Sequence, residues 1–174
     1  EPCPADIPLD ELKERDWLIS STDEEKRRLG VEAVVKSIRL AAQLGVTRMV
    51  VHPGTTGADY RDCRRYYALF NAGQAGTPEY LGLRQKLIEQ RAAQARPHLE
   101  AVKRSLVELL EISAPLGIRL GLENRFHFIE IPIINEMEEL LNLAGPEQLG
   151  FWYDMGHAQV LDRLGFFPHA EWLR

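Results

Sequence analysis

The sequence predicts an α/β fold in which parallel strands are joined to one another by helices. Three short apolar segments at residues 46–51, 118–122 and 149–153 are typical of buried strands, and longer segments of helical period separate them. A β-α-β-α-β order implies parallel strands with right-handed crossovers. The chain has 174 residues, 45% of them apolar, which is enough for one ordinary core, so we expect a single domain over residues 1–174.

The chain before the first strand is expected to hold a loop and one helix. Residues 1–20 contain three prolines and no clean period, which predicts an irregular loop. The Ser-Thr-Asp-Glu run at 21–24 has the pattern of a capping box, with Ser21 as the N-cap and Glu24 three positions later. We expect the helix that follows to end at Gly45, because glycine readily adopts the left-handed backbone that closes a helix.

The connections between the strands are expected to be largely helical. Residues 53–78 are rich in turn-forming residues and predict a long, partly helical excursion over the strand ends. Residues 79–95 suit a helix, and apolar residues at helical spacing predict a second helix from about Pro97. Shorter helices are expected to begin near Asn135 and after Pro168.

Composition and charge disfavour several classes of protein. The formal net charge of −5 argues against a surface built to neutralise nucleic-acid phosphates, although Arg61, Arg64 and Arg65 form a local basic cluster. No apolar run approaches the roughly 20 residues of a membrane-spanning helix. Cys3 and Cys63 match no metal or redox spacing, so we expect a reduced, cytoplasmic protein with no membrane partner.

Each of the three predicted strands runs into a side chain that can bind a metal ion. These side chains are His52, Glu123 and Asp154, and His157 follows Asp154 after a turn that contains glycine. The carboxyl ends of parallel strands meet at one edge of the sheet, where α/β folds build their sites. Because imidazole and carboxylate groups can together bind a divalent cation, this edge is the candidate site.

These residues also have purely structural interpretations, which the sequence leaves open. Asp154 could cap the next helix, with His157 merely bonded to the loop. Glu123 could pair with Arg125 or Arg119, because a buried carboxylate costs several kcal/mol unless it is paired or bound to a metal.

Further side chains near the strand ends have two interpretations each. His52 could be a satisfied core histidine. Arg125 could clamp an anionic group of a substrate or form a salt bridge with Glu130, and His127 on the same loop could face the substrate. His98 is expected to be solvated, and His169 is assigned no role. The basic run with tyrosines at residues 60–67 could close over a ligand or form a solvated helix face.

Three motifs, in this order, resemble the xylose isomerase-like TIM-barrel superfamily. They are Val-Val-His-Pro-Gly at 50–54, Gly-Leu-Glu-Asn at 121–124 and Tyr-Asp-Met-Gly-His-Ala at 153–158. This superfamily includes sugar-phosphate isomerases and epimerases and the type IV apurinic endonucleases (AP endonuclease family 2). The resemblance covers about residues 21–162 and implies a (β/α)8 TIM-barrel type of fold, in which the three motifs follow strands three to five.

The resemblance also implies roles for four residues. It implies that Glu123 and Asp154 are ligands of a divalent metal and that Glu123 shuttles protons in isomerase-like members. His157 would contact a substrate oxygen in those members, or bind a further zinc ion in the endonucleases. His52 would be a zinc ligand in the endonucleases and is more variable elsewhere.

A full barrel needs about 250 residues and eight strands, more than this chain supplies. We therefore expect residues 1–174 to be a fragment of a longer barrel, or to assemble with another chain, with a homo-oligomer as one possibility.

The function expected on this basis is that of a metal-dependent sugar or sugar-phosphate isomerase or epimerase. A Mn²⁺, Mg²⁺, Co²⁺ or Zn²⁺ ion would stabilise the enediolate that forms when a proton leaves the carbon next to a carbonyl. Glu123 and His157 would be the catalytic residues, and His157, Arg125 and His127 would bind the substrate. Two alternatives stay open: a zinc-dependent apurinic endonuclease, and a non-catalytic binding module derived from a barrel.

Overall fold

A three-stranded parallel sheet brings the ends of its strands to one edge, and helices pack against one of its faces. The computed structural model describes residues 8–174. Its strands are β1 (Arg48–Val51), β2 (Gly54–Thr55), β3 (Arg119–Glu123), β4 (Glu130–Ile131) and β5 (Leu149–Trp152). Its helices are α1 (Leu9–Glu14), α2 (Glu24–Gln43), α3 (Tyr60–Asn71), α4 (Pro78–Ser113), α5 (Ile134–Leu141) and α6 (Met155–Arg163), followed by a short 3₁₀ helix at His169–Leu173.

The order of strands in the parallel sheet is β1-β3-β5, with β3 in the centre. Val51 of β1 is level with Leu122 of β3, and Glu123 is level with Trp152 of β5. The predicted α/β class and the parallel pairing of the three strands are confirmed. This register carries the three strand ends to the same edge of the sheet.

The two faces of the sheet differ in what covers them. Leu120 and Leu122 of β3 are completely buried, and α4 packs against β3. Side chains alternate between the faces of a strand, so Gly121 and Glu123 belong to the other face. On that face Trp152 is 47% exposed. The sheet therefore has a core-facing side and a side that carries the candidate site at its edge.

A second, two-stranded ribbon lies beside this edge. β2 and β4 pair antiparallel, with Gly54 opposite Ile131 and Thr55 opposite Glu130. The backbone NH and the hydroxyl of Thr56 both donate to the carbonyl of Ile129, at 3.0 Å each. The ribbon was not predicted, because strands of two residues show no periodicity in the sequence. Its effect is to fix the loop that follows β3 against the segment that follows β1.

The predicted loop at 1–20 is wrong for the part that the structure describes, because α1 lies within it. The N-cap of α2 is Asp23, whose side chain accepts from the backbone NH groups of Glu25 and Lys26. The hydroxyl of Ser21, the predicted N-cap, instead donates to Asp16 at 2.7 Å. Both are typical capping residues, but the hydroxyl of Ser21 is engaged by Asp16, five residues earlier in the chain.

The predicted break at Pro97 is also wrong, since α4 is a single helix of 36 residues that contains this proline. A proline inside a helix removes one backbone hydrogen bond and strains the preceding turn. Completely or almost completely buried side chains on both sides of it, such as Leu87 and Leu99, hold the two halves in one line. Packing thus outweighs local propensity here.

The ends of the other helices agree with the sequence to different degrees. Gly45 has a φ of 70° directly after α2, and the predicted helix end there is confirmed. α5 begins at Ile134 rather than at Asn135, and the carboxylate of Glu136 accepts from the backbone NH of Ile133 at 2.9 Å. Within residues 8–174, none of the helices combines the length and apolar character that crossing a membrane requires.

Candidate metal centre

The candidate site is built at the carboxyl edge of the parallel sheet. Glu123 is the last residue of β3, and His52 directly follows β1. Asp154 lies two residues beyond β5, where it is the N-cap of α6, and His157 is in the first turn of that helix. Four of the predicted residues therefore reach the edge from three adjacent strands.

Glu123, Asp154 and His157 form a group whose ligand atoms all lie within 4.8 Å of one another. The side chain of Glu123 is 10% exposed, that of His157 25% and that of Asp154 35%. Two carboxylates and one imidazole at this separation suit a divalent cation such as Mn²⁺, Co²⁺ or Zn²⁺. Two of the three predicted metal ligands, Glu123 and Asp154, belong to this group, whereas its third member is His157 and not the predicted His52.

The structural interpretations of Asp154 and His157 describe contacts that the structure contains, and these contacts are compatible with cation binding. Asp154 Oδ1 accepts from the backbone NH of His157 at 2.7 Å, which caps α6. Nδ1 of His157 lies 2.8 Å from the backbone oxygen of Asn124. Because a carbonyl oxygen only accepts, Nδ1 carries the hydrogen, and the lone pair of the neutral ring is on Nε2. Nδ1 is 3.8 Å from Oε2 of Glu123 and 3.9 Å from Oδ2 of Asp154, whereas Nε2 carries the lone pair that a ligand would use.

Asn124 joins the end of β3 to the end of β5. Its Nδ2 donates to the backbone oxygen of Asp154 at 2.9 Å, and its Oδ1 accepts from the backbone NH of Asp154 at 2.7 Å. The side chain is completely buried. Because both bonds end on backbone atoms of Asp154, they fix the position of that residue relative to Glu123.

Glu123 also contacts two basic groups. Its Oε2 lies 2.6 Å from Nε2 of His52 and 2.9 Å from Nη1 of Arg125. The salt bridge considered from the sequence is therefore made by Arg125. His52 contacts Glu123 but lies outside the group of three. The two basic partners compensate the burial of the carboxylate.

Arg125 lies between two glutamates. On the side away from Glu123, its Nε is 3.4 Å from Oε2 of Glu130. Oε1 of Glu130 accepts from the hydroxyl of Tyr60 at 3.1 Å. Burial raises the pKa of Tyr60, and the charge of Glu130 raises it further, so this hydroxyl stays protonated and donates.

His127 lies on the loop after β3 and does not belong to the group of three. Its Nδ1 is 3.4 Å from Sγ of Cys63, and its ring packs edge-on against the ring of Tyr60 with the centroids 5.4 Å apart. Burial lowers the pKa of His127 and raises that of the Cys63 thiol to about 12. The imidazole therefore tends to be neutral, and the thiol is unreactive at neutral pH.

A cavity of about 730 Å³ adjoins the site. Its wall includes side chains from the ribbon, from α3 and from the loop after β3, among them His52, Tyr60, Arg64, Arg125, His127 and Glu130. Glu123, Asp154 and His157 do not line it. His52 and Arg125 both touch Glu123 and line the cavity, so they form the boundary between it and the group of three.

The other residues considered from the sequence lie away from the group of three. His98 is half-buried within α4, with its Nδ1 2.7 Å from the backbone oxygen of Ser20, so the expectation that it is solvated is wrong. His169 is exposed and lies 2.5 Å from Asp162. In the run at 60–67, Arg61 is exposed, as expected of a solvated helix face, whereas Tyr66 is buried and Tyr60 contacts Glu130.

The salt bridge between Arg125 and Glu130 that the sequence suggested is present, but the burial of Glu130 and its hydrogen bond from Tyr60 were not predicted. The glutamate stands in the apolar run Phe-Ile-Glu-Ile-Pro at 128–132, and it is buried. A charged residue in such a run is a signal for a buried ion pair. Arg125 lies on the loop that leads into β4, whereas Tyr60 is the first residue of α3 and meets Glu130 only in the folded chain.

The parallel sheet, with carboxylates and imidazoles at the ends of its strands, defines an α/β protein of TIM-barrel type with a candidate metal centre at the carboxyl edge. The chain belongs to the xylose isomerase-like TIM barrel family, whose model matches residues 8–171.

One solved structure adds to this finding on the fold. A D-tagatose 3-epimerase-like protein superimposes with a TM-score of 0.53 at 23% sequence identity, over 84% of this chain and 46% of that chain. At this identity the likeness shows the fold alone, and the chain spans less than half the length of that protein. No curated protein matches the chain in a sequence comparison.

Proposed function

We propose that this chain supplies the metal centre and part of the substrate site of a sugar or sugar-phosphate isomerase or epimerase. The observation that carries the proposal is the group Glu123, Asp154 and His157 at the carboxyl edge of a sheet of the xylose isomerase-like family. The 46% coverage of the D-tagatose 3-epimerase-like structure supports the further proposal that residues 1–174 form one domain within a longer barrel, or one that assembles with other copies.

A bound Mn²⁺, Mg²⁺, Co²⁺ or Zn²⁺ ion would polarise a substrate carbonyl and stabilise the negative charge that develops when a proton leaves the adjacent carbon. Glu123, Asp154 and His157 are the residues that would hold it.

Glu123 is the proton-transfer residue in this proposal. His52 and Arg125 both contact its Oε2, which favours Oε1 as the oxygen that takes and returns the proton. Arg125 holds the carboxylate in one orientation, as an acid or base that acts at a single carbon must be held.

The single lone pair on Nε2 of His157 serves one partner, so this atom would accept a hydrogen bond from a substrate hydroxyl where Glu123 and Asp154 alone hold the cation, and would bind the cation otherwise. Nδ1 of His157 is directed to the oxygen of Asn124, and this bond fixes the plane of the ring. The neutral ring accepts a hydrogen bond at Nε2, which suits the hydroxyl groups of a sugar.

The adjoining cavity is where we place the part of the substrate beyond the reacting carbons. Its volume of about 730 Å³ is within the usual range of small-molecule sites, which is about 300–1,000 Å³. Arg125 and His127 on its wall are the proposed substrate contacts, together with the hydroxyl of Tyr60. The charged and hydroxyl-bearing side chains on the wall, such as Arg64, Arg125 and Tyr60, could bind the hydroxyl or phosphate groups of such a substrate.

Hydrogen exchange with the solvent tests the proposal without a known substrate. The purified chain is incubated in D₂O with Mn²⁺ and a panel of ketoses and ketose phosphates, and proton NMR follows deuterium entering the carbon next to the carbonyl. We expect exchange with at least one sugar, slowed about 10²–10⁴-fold by Glu123→Gln. Glu111→Gln, which changes an exposed glutamate of α4, is the matched control and should exchange at the wild-type rate. Equal exchange by wild type and Glu123→Gln, or none with any sugar, contradicts the proposal.

A further inference from the structure

We propose that Glu130 is a positioning residue of the metal centre, which balances the charge of Arg125 so that Arg125 orients Glu123 without competing with the cation. This inference rests on the proposed function for the presence of a cation. It concerns a residue that does not itself belong to the group of three.

Arg125 is a permanent positive charge beside a proposed metal ligand. Its side chain is only 9% exposed, and its Nη1 is 2.9 Å from Oε2 of Glu123. A guanidinium does not lose its proton in a protein. A divalent cation held by Glu123 must therefore share that carboxylate with a second, fixed positive charge, and the repulsion is little screened in a buried site.

Glu130 is placed to offset this charge. Its Oε2 is 3.4 Å from Nε of Arg125, and its side chain is 10% exposed. Among the described residues, this buried oxygen has no hydrogen-bond partner, so the guanidinium is the main compensation for its burial. Arg125 thus interacts with two carboxylates, and the second one, Glu130, weakens the repulsion between the guanidinium and a cation bound to Glu123.

The surrounding structure prevents Glu130 from moving with Arg125. Glu130 pairs with Thr55 in the ribbon, and its backbone oxygen accepts from Arg91 Nη1 at 2.8 Å. The hydroxyl of Tyr60 holds the other carboxylate oxygen. A fixed counter-charge of this kind keeps the guanidinium in one place whether or not a cation is bound.

The test is the affinity of the purified chain for Mn²⁺, measured by isothermal titration calorimetry. We expect Glu130→Gln to raise the Kd for Mn²⁺ about 10-fold or more, because Arg125 then has Glu123 as its remaining carboxylate partner. The double variant Arg125→Met/Glu130→Gln should bind Mn²⁺ more tightly than Glu130→Gln, since the competing charge is gone. Glu138→Gln, which removes one exposed charge from α5, is the matched control and should bind as the wild type does.

Wild-type affinity in Glu130→Gln, or a double variant as weak as Glu130→Gln, overturns the inference. If circular dichroism shows that Glu130→Gln does not fold, the single variant Arg125→Met is measured instead. Mn²⁺ binding at least as tight as that of the wild type then supports the inference, and weaker Mn²⁺ binding overturns it. Glu123→Gln separates the two proposals. If the wild type does not bind Mn²⁺, or if Glu123→Gln binds it as tightly as the wild type does, both the proposed function and the inference are contradicted. If Glu123→Gln loses Mn²⁺ affinity but Glu130→Gln does not, the inference alone is overturned.

Discussion

The side-chain amide of Asn124 is bonded to both backbone groups of Asp154, and it thereby sets the distance between the ends of β3 and β5. Each end carries one carboxylate of the candidate metal centre. A buried amide with two such bonds resists displacement, because neither partner can move without leaving a polar group unsatisfied.

Replacing Asn124 should therefore affect both stability and cation binding. Asn124→Ala leaves the backbone NH and oxygen of Asp154 without these partners, so we expect the free energy of unfolding to fall by about 1–3 kcal/mol. The Kd for Mn²⁺ should rise about 10-fold or more. Urea denaturation and calorimetry measure the two effects, with Asn135→Ala on the exposed face of α5 as control. Unchanged Mn²⁺ affinity would show that Asn124 does not position the centre.

The lowered pKa of His127 predicts a loss of stability in mild acid. The unfolded chain binds a proton at this residue near the ordinary value of about 6.5, whereas the folded chain does so only at lower pH. The unfolded state therefore binds more protons as the pH falls from about 7 to 5, and the free energy of unfolding decreases. Denaturation curves of His127→Gln should show a smaller decrease over this range. If the free energy of unfolding of the wild type and of His127→Gln falls equally between about pH 7 and pH 5, His127 is not the cause of the acid destabilisation.

Gly30 of α2 permits a close approach to the chain before the helix. A Cβ atom there would lie 2.5 Å from the backbone carbon of Leu18 and 2.8 Å from the backbone nitrogen of Ile19. Gly30→Ala should therefore lower the free energy of unfolding by about 1–3 kcal/mol. Gly82 of α4 has open space around it, so Gly82→Ala should raise stability by about 0.5–1 kcal/mol. The same sign for both substitutions in urea denaturation would contradict this packing.

The ion pair of Arg91 and Glu136 should be a major source of stability for the loop after β3. Both side chains are buried, and Arg91 Nη1 also donates to the backbone oxygens of Phe128 and Glu130. Arg91→Met leaves the carboxylate of Glu136 buried without its counter-charge, and we expect a loss of about 3–5 kcal/mol. Arg96→Met on the exposed side of α4 should cost no more than about 1 kcal/mol. Urea denaturation measures both variants, and similar decreases in the free energy of unfolding would contradict the expectation that burial makes the Arg91–Glu136 pair the more important one.

The strands and their common edge were predictable because each strand is a short apolar run that ends in a polar residue. This is why the amino-acid sequence alone could place His52, Glu123 and Asp154 at one edge of the sheet. The ribbon of β2 and β4 was not predictable, since two-residue strands leave no pattern and form through contacts between distant segments. The start of α2 at Asp23 and the continuity of α4 through Pro97 likewise depended on contacts that the local sequence pattern does not show.

Within the site, the sequence indicated which side chains lie near one another but not which of them are in contact. The placement of His52 against Glu123, rather than in the group with Asp154 and His157, depends on the path of the backbone after β1. The balance of Arg125 between two glutamates depends on the ribbon, which brings Glu130 to the edge. Such relations are set by loops, whose conformation is weakly encoded in local sequence.

Anomalous diffraction from a crystal of the chain grown with Mn²⁺ tests the central claim most directly. The proposal predicts an anomalous peak, in data collected at the manganese absorption edge, for a Mn²⁺ ion that Glu123, Asp154 and His157 together coordinate. A Mn²⁺ peak at another place in the chain would contradict the proposal. So would carboxylates of Glu123 and Asp154 that face away from each other with no peak between them.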